Sequence, residues 1–128
     1  GRLHVAVHDP VVVREVERLP ENAEKLGARI LAGARELAER HPLVGDARGL
    51  GLYLGIELVR DRATLEPAAE EAAYVIERMR ELGVLVSIDG PWHNVLKIKP
   101  PLVWTNADAD RLLSTLDDVL AEPALRRG

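Results

Sequence analysis

A two-layer α/β (α+β) sandwich, with a small and mostly antiparallel sheet covered by amphipathic helices, is the fold class predicted for this 128-residue chain. Three observations predict it. Three stretches carry apolar residues at steps of three and four, the mark of a helix with one buried stripe. Stretches of period two lie between them, as strands with one apolar face require. Asp89-Gly90 sits in a short connection between two such stretches, a hairpin signal that makes that strand pair antiparallel. The order helix, strand, helix, strand, strand, helix then suits two packed layers.

Residues 1–10 are expected to form an atypical arm, alternating at Leu3, Val5 and Val7 and stopping at Pro10; a short strand and a frayed end fit equally. From Pro20 the pattern is helical, with Ala23, Leu26, Ile30, Ala34, Leu37 and Ala38 on one stripe. Pro20 suits a first helical turn, Glu21 and Glu24 favour the positive end of the dipole, and His41-Pro42 closes the helix. Gly27 and Gly33 inside it each cost about 1 kcal/mol relative to alanine, which implies a close neighbour that the sequence does not identify. Residues 44–59 read as one strand, with Leu52, Leu54, Ile56 and Leu58 on one face and Tyr53, Gly55, Glu57 and Val59 on the other.

Thr64 and Pro67 open a second predicted helix, carried by Ala72, Val75, Ile76, Met79 and Leu82 and ended by Gly83. Val84 to Ile88 is a short β-branched run, Asp89-Gly90-Pro91 a turn, and Val95 to Ile98 a strand that Pro100-Pro101 must terminate. Thr105 caps the last helix near Asp108, and Ala109, Leu112, Leu113, Leu116, Val119 and Leu120 form its buried stripe. Residues 11–122 thus make one domain, and 123–128 a loose tail.

Composition narrows the function classes. With 17 Lys+Arg against 21 Asp+Glu, a net charge of −4, the chain lacks the clustered positive face that a nucleic-acid binder needs. Having no cysteine, it has no disulfide framework, thiol nucleophile or zinc ribbon, and its histidines lack metal-ligand partners at helical spacing, so no metal is expected. No apolar run approaches a membrane span and no signal segment opens the chain, which leaves the cytoplasm as the expected compartment.

Lys97 and Lys99, two apart on a predicted strand, project from one face, where two ammonium groups can receive a carboxylate or phosphate. Lysines also guard sheet edges, and that ordinary role stands beside the binding one. His93 and Asn94, next to Trp92 on the preceding turn, can line a pocket with them or form a plain exposed turn. Arg48-Gly49-Leu50-Gly51-Leu52 is a poor phosphate loop, without a lysine after the last glycine or a helix beyond it, and its glycines suit a bulge or a close crossing. Asp46 and Arg48 are expected to pair across a tight turn. No set of catalytic residues is complete in the chain.

Several motifs in register resemble the C-terminal domain of class III aminotransferases, pyridoxal-phosphate enzymes of the aspartate aminotransferase fold. They are Leu19-Pro20-Glu21-Asn22-Ala23; the run from His41-Pro42-Leu43-Val44-Gly45-Asp46 through Arg48-Gly49-Leu50-Gly51-Leu52 to Ile56-Glu57-Leu58-Val59; Arg80-Glu81-Leu82-Gly83-Val84-Leu85; Asn94-Val95-Leu96-Lys97-Ile98-Lys99-Pro100-Pro101-Leu102; and Asp108-Ala109-Asp110. Asp89-Gly90-Pro91 with His93 to Pro101 is most similar to the branch of phospho-lyases acting on ethanolamine phosphate and phosphohydroxylysine. The resemblance implies a small domain of a fold-type I enzyme, pyridoxal 5′-phosphate as cofactor, a homodimer, and a small amine, amino acid or amino-phosphate as substrate. It also implies a departure: many class III transaminases carry an arginine at the place of Lys97 that receives the substrate carboxylate. Lysine gives up bidentate recognition but still offers a compact charge to a phosphate.

The resemblance places the Schiff-base lysine, the partner of the pyridinium nitrogen and the phosphate cup upstream of this chain. The expectation is therefore a substrate-side domain with no catalytic residue of its own, inactive alone, in which Lys97 receives the anion with Lys99, Asn94 and His93 as neighbours. Arg48 and Gly49 to Gly51 shape the entry to the sheet. Transamination is the first expected activity and phosphate elimination from an amino-alcohol phosphate the second. A third reading is a truncated, non-catalytic module that binds or dimerises through Trp92, Trp104 and the Leu50/Leu52 region.

Overall fold

The computed structural model describes residues 10–50, 53–100 and 103–125, with side chains from residue 23 onward except that of residue 50. The arm expected over 1–10 lies outside the described residues apart from Pro10. Helix α1 runs Pro10–Arg40, so Pro20 is inside it rather than at its start. Pro10 takes the first helical position instead, where a missing N–H costs nothing. In the sequence Val12, Val16, Leu19, Ala23, Leu26 and Ile30 recur at alternating steps of four and three, an apolar stripe unbroken at the proline. That stripe outweighs one lost backbone hydrogen bond.

The single strand expected over 44–59 is two. β1 (Val44–Leu50) and β2 (Tyr53–Asp61) are antiparallel, paired from Val44↔Leu58 to Leu50↔Tyr53. Only Gly51 and Leu52 separate them, the shortest common hairpin connection. Apolar alternation continues through the turn, which is why it reads as one strand. Leu54, Ile56 and Leu58 face the core as expected, but Val59, expected on the outer face, is fully buried, lying against Gly45 and paired with Pro67.

Asp61 Oδ1 accepts from the amides of Ala63 and Thr64 and so ties a turn that leads to β3 (Glu66–Pro67), which pairs with β2. Thr64 and Pro67 therefore precede α2 (Ala69–Glu81) rather than opening it, and Ala68 is its N-cap. Glu70 and Glu71 in its first turn and Arg78 and Arg80 in its last complement the helix dipole. Ala72, Val75 and Met79 are buried, Leu82 is exposed, and Gly83, at φ +85°, turns the chain out as expected.

β4 (Ser87–Asp89) and β5 (Val95–Ile98) form the predicted antiparallel hairpin around Gly90, whose φ is +87°. β5 also pairs with β2, giving the order β1-β2-β5-β4. Helix α3 (Asn106–Leu120) starts at the predicted Thr105 cap, where Thr105 and Asp108 satisfy each other's backbone amides. Where a loose tail was expected, Pro123–Leu125 winds into one 3-10 turn that buries Leu125.

All three helices pack on one face of the sheet and make the core with Ile56, Leu58, Leu96 and Ile98. The close neighbour demanded by Gly33 is Leu113 of α3, into which a methyl group at Gly33 would run. Arg62 ties the end of α1 to the start of β1 by donating to the carbonyls of Ala38, in the last turn of the helix, and of His41 and Val44 beyond it. Arg29 grips Asp110 through two hydrogen bonds of 2.9 and 2.8 Å and joins α1 to α3. Among the described residues no helix is long and apolar enough to cross a membrane.

Candidate functional site on the open face of the sheet

Among the described residues the helices leave the other face of the sheet uncovered, and strand alternation decides what stands on it. The registers Asp46↔Glu57, Arg48↔Gly55, Gly55↔Lys97, Ser87↔Lys97 and Asp89↔Val95 put those residues on the face opposite Ile56 and Leu96. One row therefore reads Arg48, Gly55, Lys97, Ser87 across four strands. Gly55 offers no side chain between the two cations. A shallow depression of about 270 Å³ lies there, lined by Arg48, Tyr53, Gly55, Asp89, Val95 and Lys97.

Lys97 Nζ is 3.8 Å from Asp89 Oδ2, an ion pair too long for a hydrogen bond, between half-exposed groups. Arg48 Nη1 donates to Asp46 Oδ2 at 3.0 Å and to Glu57 Oε1 at 3.2 Å. Asp46 and Arg48 thus pair as expected, but as neighbours on one face of a strand, not across a tight turn. These carboxylates, Asp46 foremost, raise the Arg48 pKa above its ordinary value. Lys99 Nζ sits 4.9 Å from the centre of the Tyr53 ring. Lys99 first and Lys97 second draw the Tyr53 phenol below its usual pKa.

Of the four residues singled out in the sequence, Lys97 lines this depression and Lys99 reaches it by way of Tyr53. His93 is exposed on the β4–β5 turn at φ +52° and is not part of the lining. Asn94 is 4 % exposed, and its Nδ2 donates to the Leu58 carbonyl at 2.9 Å, which joins the turn to β2. The amide of Asn94 is therefore used inside the fold. Sequence reasoning passed over Asp89, Glu57 and Gly55 as site residues. Locating the hairpin at residues 50–53 would have placed Asp46 and Arg48 opposite Glu57 and Gly55, since each strand keeps its period of two.

Two larger depressions lie elsewhere. One, of about 460 Å³, is bounded by Arg40, His41, Arg60 and Leu125, and one of about 430 Å³ by Gly83, Lys99, Trp104 and Arg111. Charges around the first are paired: His41 Nε2 and Arg40 meet Asp117, at 2.6 and 3.3 Å, and Arg60 holds Glu71. Of the proposed association residues, Trp92 is 66 % exposed while Trp104 packs partly on the core; the side chain of Leu50, and Leu52, lie outside the described residues.

The family model described as Aminotransferase class-III matches residues 4–120. The chain belongs to this family. A mitochondrial alanine–glyoxylate aminotransferase 2 homolog from Arabidopsis thaliana is 44% identical over 105 residues, 82% of this chain and 22% of the relative. Ethanolamine-phosphate phospho-lyase homolog 1 of Caenorhabditis elegans is 39% identical over 116 residues, 90% of this chain and 25% of the relative. Among solved structures, an Arthrobacter phospholyase in complex with phosphoethanolamine superposes with a TM-score of 0.80 at 40% identity, covering 88% of this chain and 27% of that one. A PLP-bound amine transaminase from an uncultivated Pseudomonas species superposes with a TM-score of 0.74 at 37% identity, over 84% of this chain and 24% of that one. The expected fold class stands, and the chain spans about a quarter of the length of these class III proteins.

The family implies pyridoxal phosphate, and the described residues do not form a place for it. A Schiff-base lysine must be desolvated to be reactive. The sequence has three lysines, Lys25, Lys97 and Lys99, and all are half-buried or exposed. The depression beside Lys97 is also shallow and open, where a cofactor ring needs enclosing walls. What this class III domain does offer is a charged, hydrogen-bonding sheet face.

Proposed function

We propose that this chain is the substrate-side domain of a class III aminotransferase or phospho-lyase, and that the open sheet face, with Lys97 at its centre, receives the anionic group of a small amine substrate. One observation carries this reading: the Lys97 ammonium donates no hydrogen bond among the described residues and lines a depression left free by Gly55. Among the described residues its three N–H donors are unspent, and a compact ammonium meets a carboxylate or phosphate as a point charge. The 128 residues supply binding and orientation and do not turn over substrate alone. The catalytic chemistry, the cofactor and the homodimer belong to the complete enzyme.

Steady-state kinetics of the holoenzyme that contains this domain test the reading. Lys97→Ala raises KM more than it lowers kcat, as expected when an interaction common to ground and transition states is lost. An unchanged KM removes Lys97 from the site.

Phosphate elimination is the second activity proposed. The lysine at 97, where the family arginine would fork onto a planar carboxylate, favours it, as does the likeness to a phospholyase that binds phosphoethanolamine. Release of inorganic phosphate from an amino-alcohol phosphate, without amino transfer to a keto acid, is the outcome that selects it.

A further inference from the structure

Arg48 stands in the same row as Lys97, one strand further from it than Gly55. Neighbouring strands are about 4.8 Å apart, so the two cationic residues start about 10 Å apart with only a glycine between them. Both line the same depression. Arg48 spends only Nη1, which donates to Asp46 and Glu57. Its Nε and Nη2 donate to nothing among the described residues. A guanidinium held at one corner by two carboxylates is fixed in orientation and keeps an edge free, which is the arrangement that grips an oxyanion through two parallel N–H donors.

We infer that Arg48 and Lys97 are the two walls of one oxyanion cleft floored by Gly55, and that the ligand group between them is the phosphate or carboxylate of a small amine. This rests on the reading of Lys97 as the anion receiver and adds a second, directional contact from another strand. The family arginine missing at 97 is thereby replaced in function by an arginine that the hairpin delivers from β1. Asp46, Glu57 and Asp89 balance Arg48, Lys97 and Lys99 in charge. Hydrogen bonds rather than net field therefore hold the anion, and free phosphate binds weakly, with a Kd on the order of millimolar.

The test is a titration of the 15N-labelled chain with inorganic phosphate, followed at the Arg48 Nε–H and the backbone amides of Gly55 and Lys97. The expected result is saturation of all three with one Kd. Arg48→Gln weakens binding about tenfold, the loss expected for a charge-assisted hydrogen bond. Arg48→Lys restores only part of it, because a lysine keeps the charge but not the fork. If Lys97→Gln weakens binding while Arg48→Gln does not and the Arg48 Nε–H stays still, the inference is overturned and Lys97 keeps its role. If Lys97→Gln leaves binding unchanged, the underlying reading itself fails. Movement of the Arg48 Nε–H in the unaltered chain reports contact even where a variant perturbs the strand. Acetate in place of phosphate tells the sources apart: the anion that saturates at lower concentration is the group carried by the ligand.

Discussion

The two faces of this sheet are built from the same strands, one residue out of step, and their chemistry has nothing in common. Leu54, Ile56, Leu58, Leu96 and Ile98, none more than 4 % exposed, look into the helices. Arg48, Glu57, Asp89 and Lys97 look the other way and hold one another by ion pairs. Burial stabilises the first face by about 25 cal/mol per Å² of apolar surface, whereas exposed ion pairs stabilise the second by about 0–1 kcal/mol each. Stability therefore belongs to the first side, and the recognition proposed here to the second. Substitutions on the two sides should separate in what they damage.

The largest effect is expected on the core side. Leu58→Ala, at a fully buried position, should cost about 2–5 kcal/mol in urea unfolding. A loss below 1 kcal/mol would mean that the helix layer is not packed on β2 as described. Next comes Asn94→Ala, which removes one of the two donors to the Leu58 carbonyl, the Ala68 amide being the other. That change should cost about 1–2 kcal/mol of stability and leave oxyanion binding untouched. Lost binding without lost stability would move Asn94 to the ligand side.

A smaller effect is expected in acid. Glu122 accepts from Arg78 at 3.0 Å and from the Tyr74 hydroxyl, and these partners, Arg78 first, hold its carboxyl below the ordinary value of 4.5. A depressed folded pKa contributes stability that is complete above the unfolded value and is lost as pH falls through the folded one. Stability should thus decline below about pH 4.5, and Glu122→Gln should flatten that decline in urea midpoints measured from pH 6 to pH 2. An unaltered acid limb would assign the decline to other carboxylates; Asp117 beside His41 and Arg40 is also depressed. The smallest effect on stability is expected for Lys97→Ala, within about 0.5 kcal/mol. A large loss there would mark Lys97 as a structural lysine.

Much of the fold was legible because local signals agreed with tertiary need. Thr105 with Asp108, Gly83 after α2, and Asp89-Gly90 before β5 each announce a boundary by a specific backbone requirement. The β1–β2 hairpin escaped because Leu50 and Leu52 carry the alternation straight through a two-residue connection, and pairing is a non-local fact that periodicity does not encode. Helix α1 was read ten residues short because a proline is a strong local stop that a long apolar stripe can override. The same limits governed the site. Lys97 and Lys99 were visible as a pair on one strand, but the juxtaposition of Arg48 with Lys97 depends on strand order, β1-β2-β5, which no single segment contains. Asn94 was grouped with them by proximity in sequence, and the pleat sends it to the other side.

The central claim is that the open face, not the helix side, meets the substrate. The most direct measurement is a comparison of amide shifts in the 15N-labelled chain on adding phosphoethanolamine and, separately, ethanolamine. The account predicts that phosphoethanolamine alone moves Arg48, Tyr53, Gly55, Asp89, Val95 and Lys97. Shifts centred instead on the depression bounded by Gly83, Trp104 and Arg111, or on that bounded by Arg40, His41 and Leu125, would contradict it.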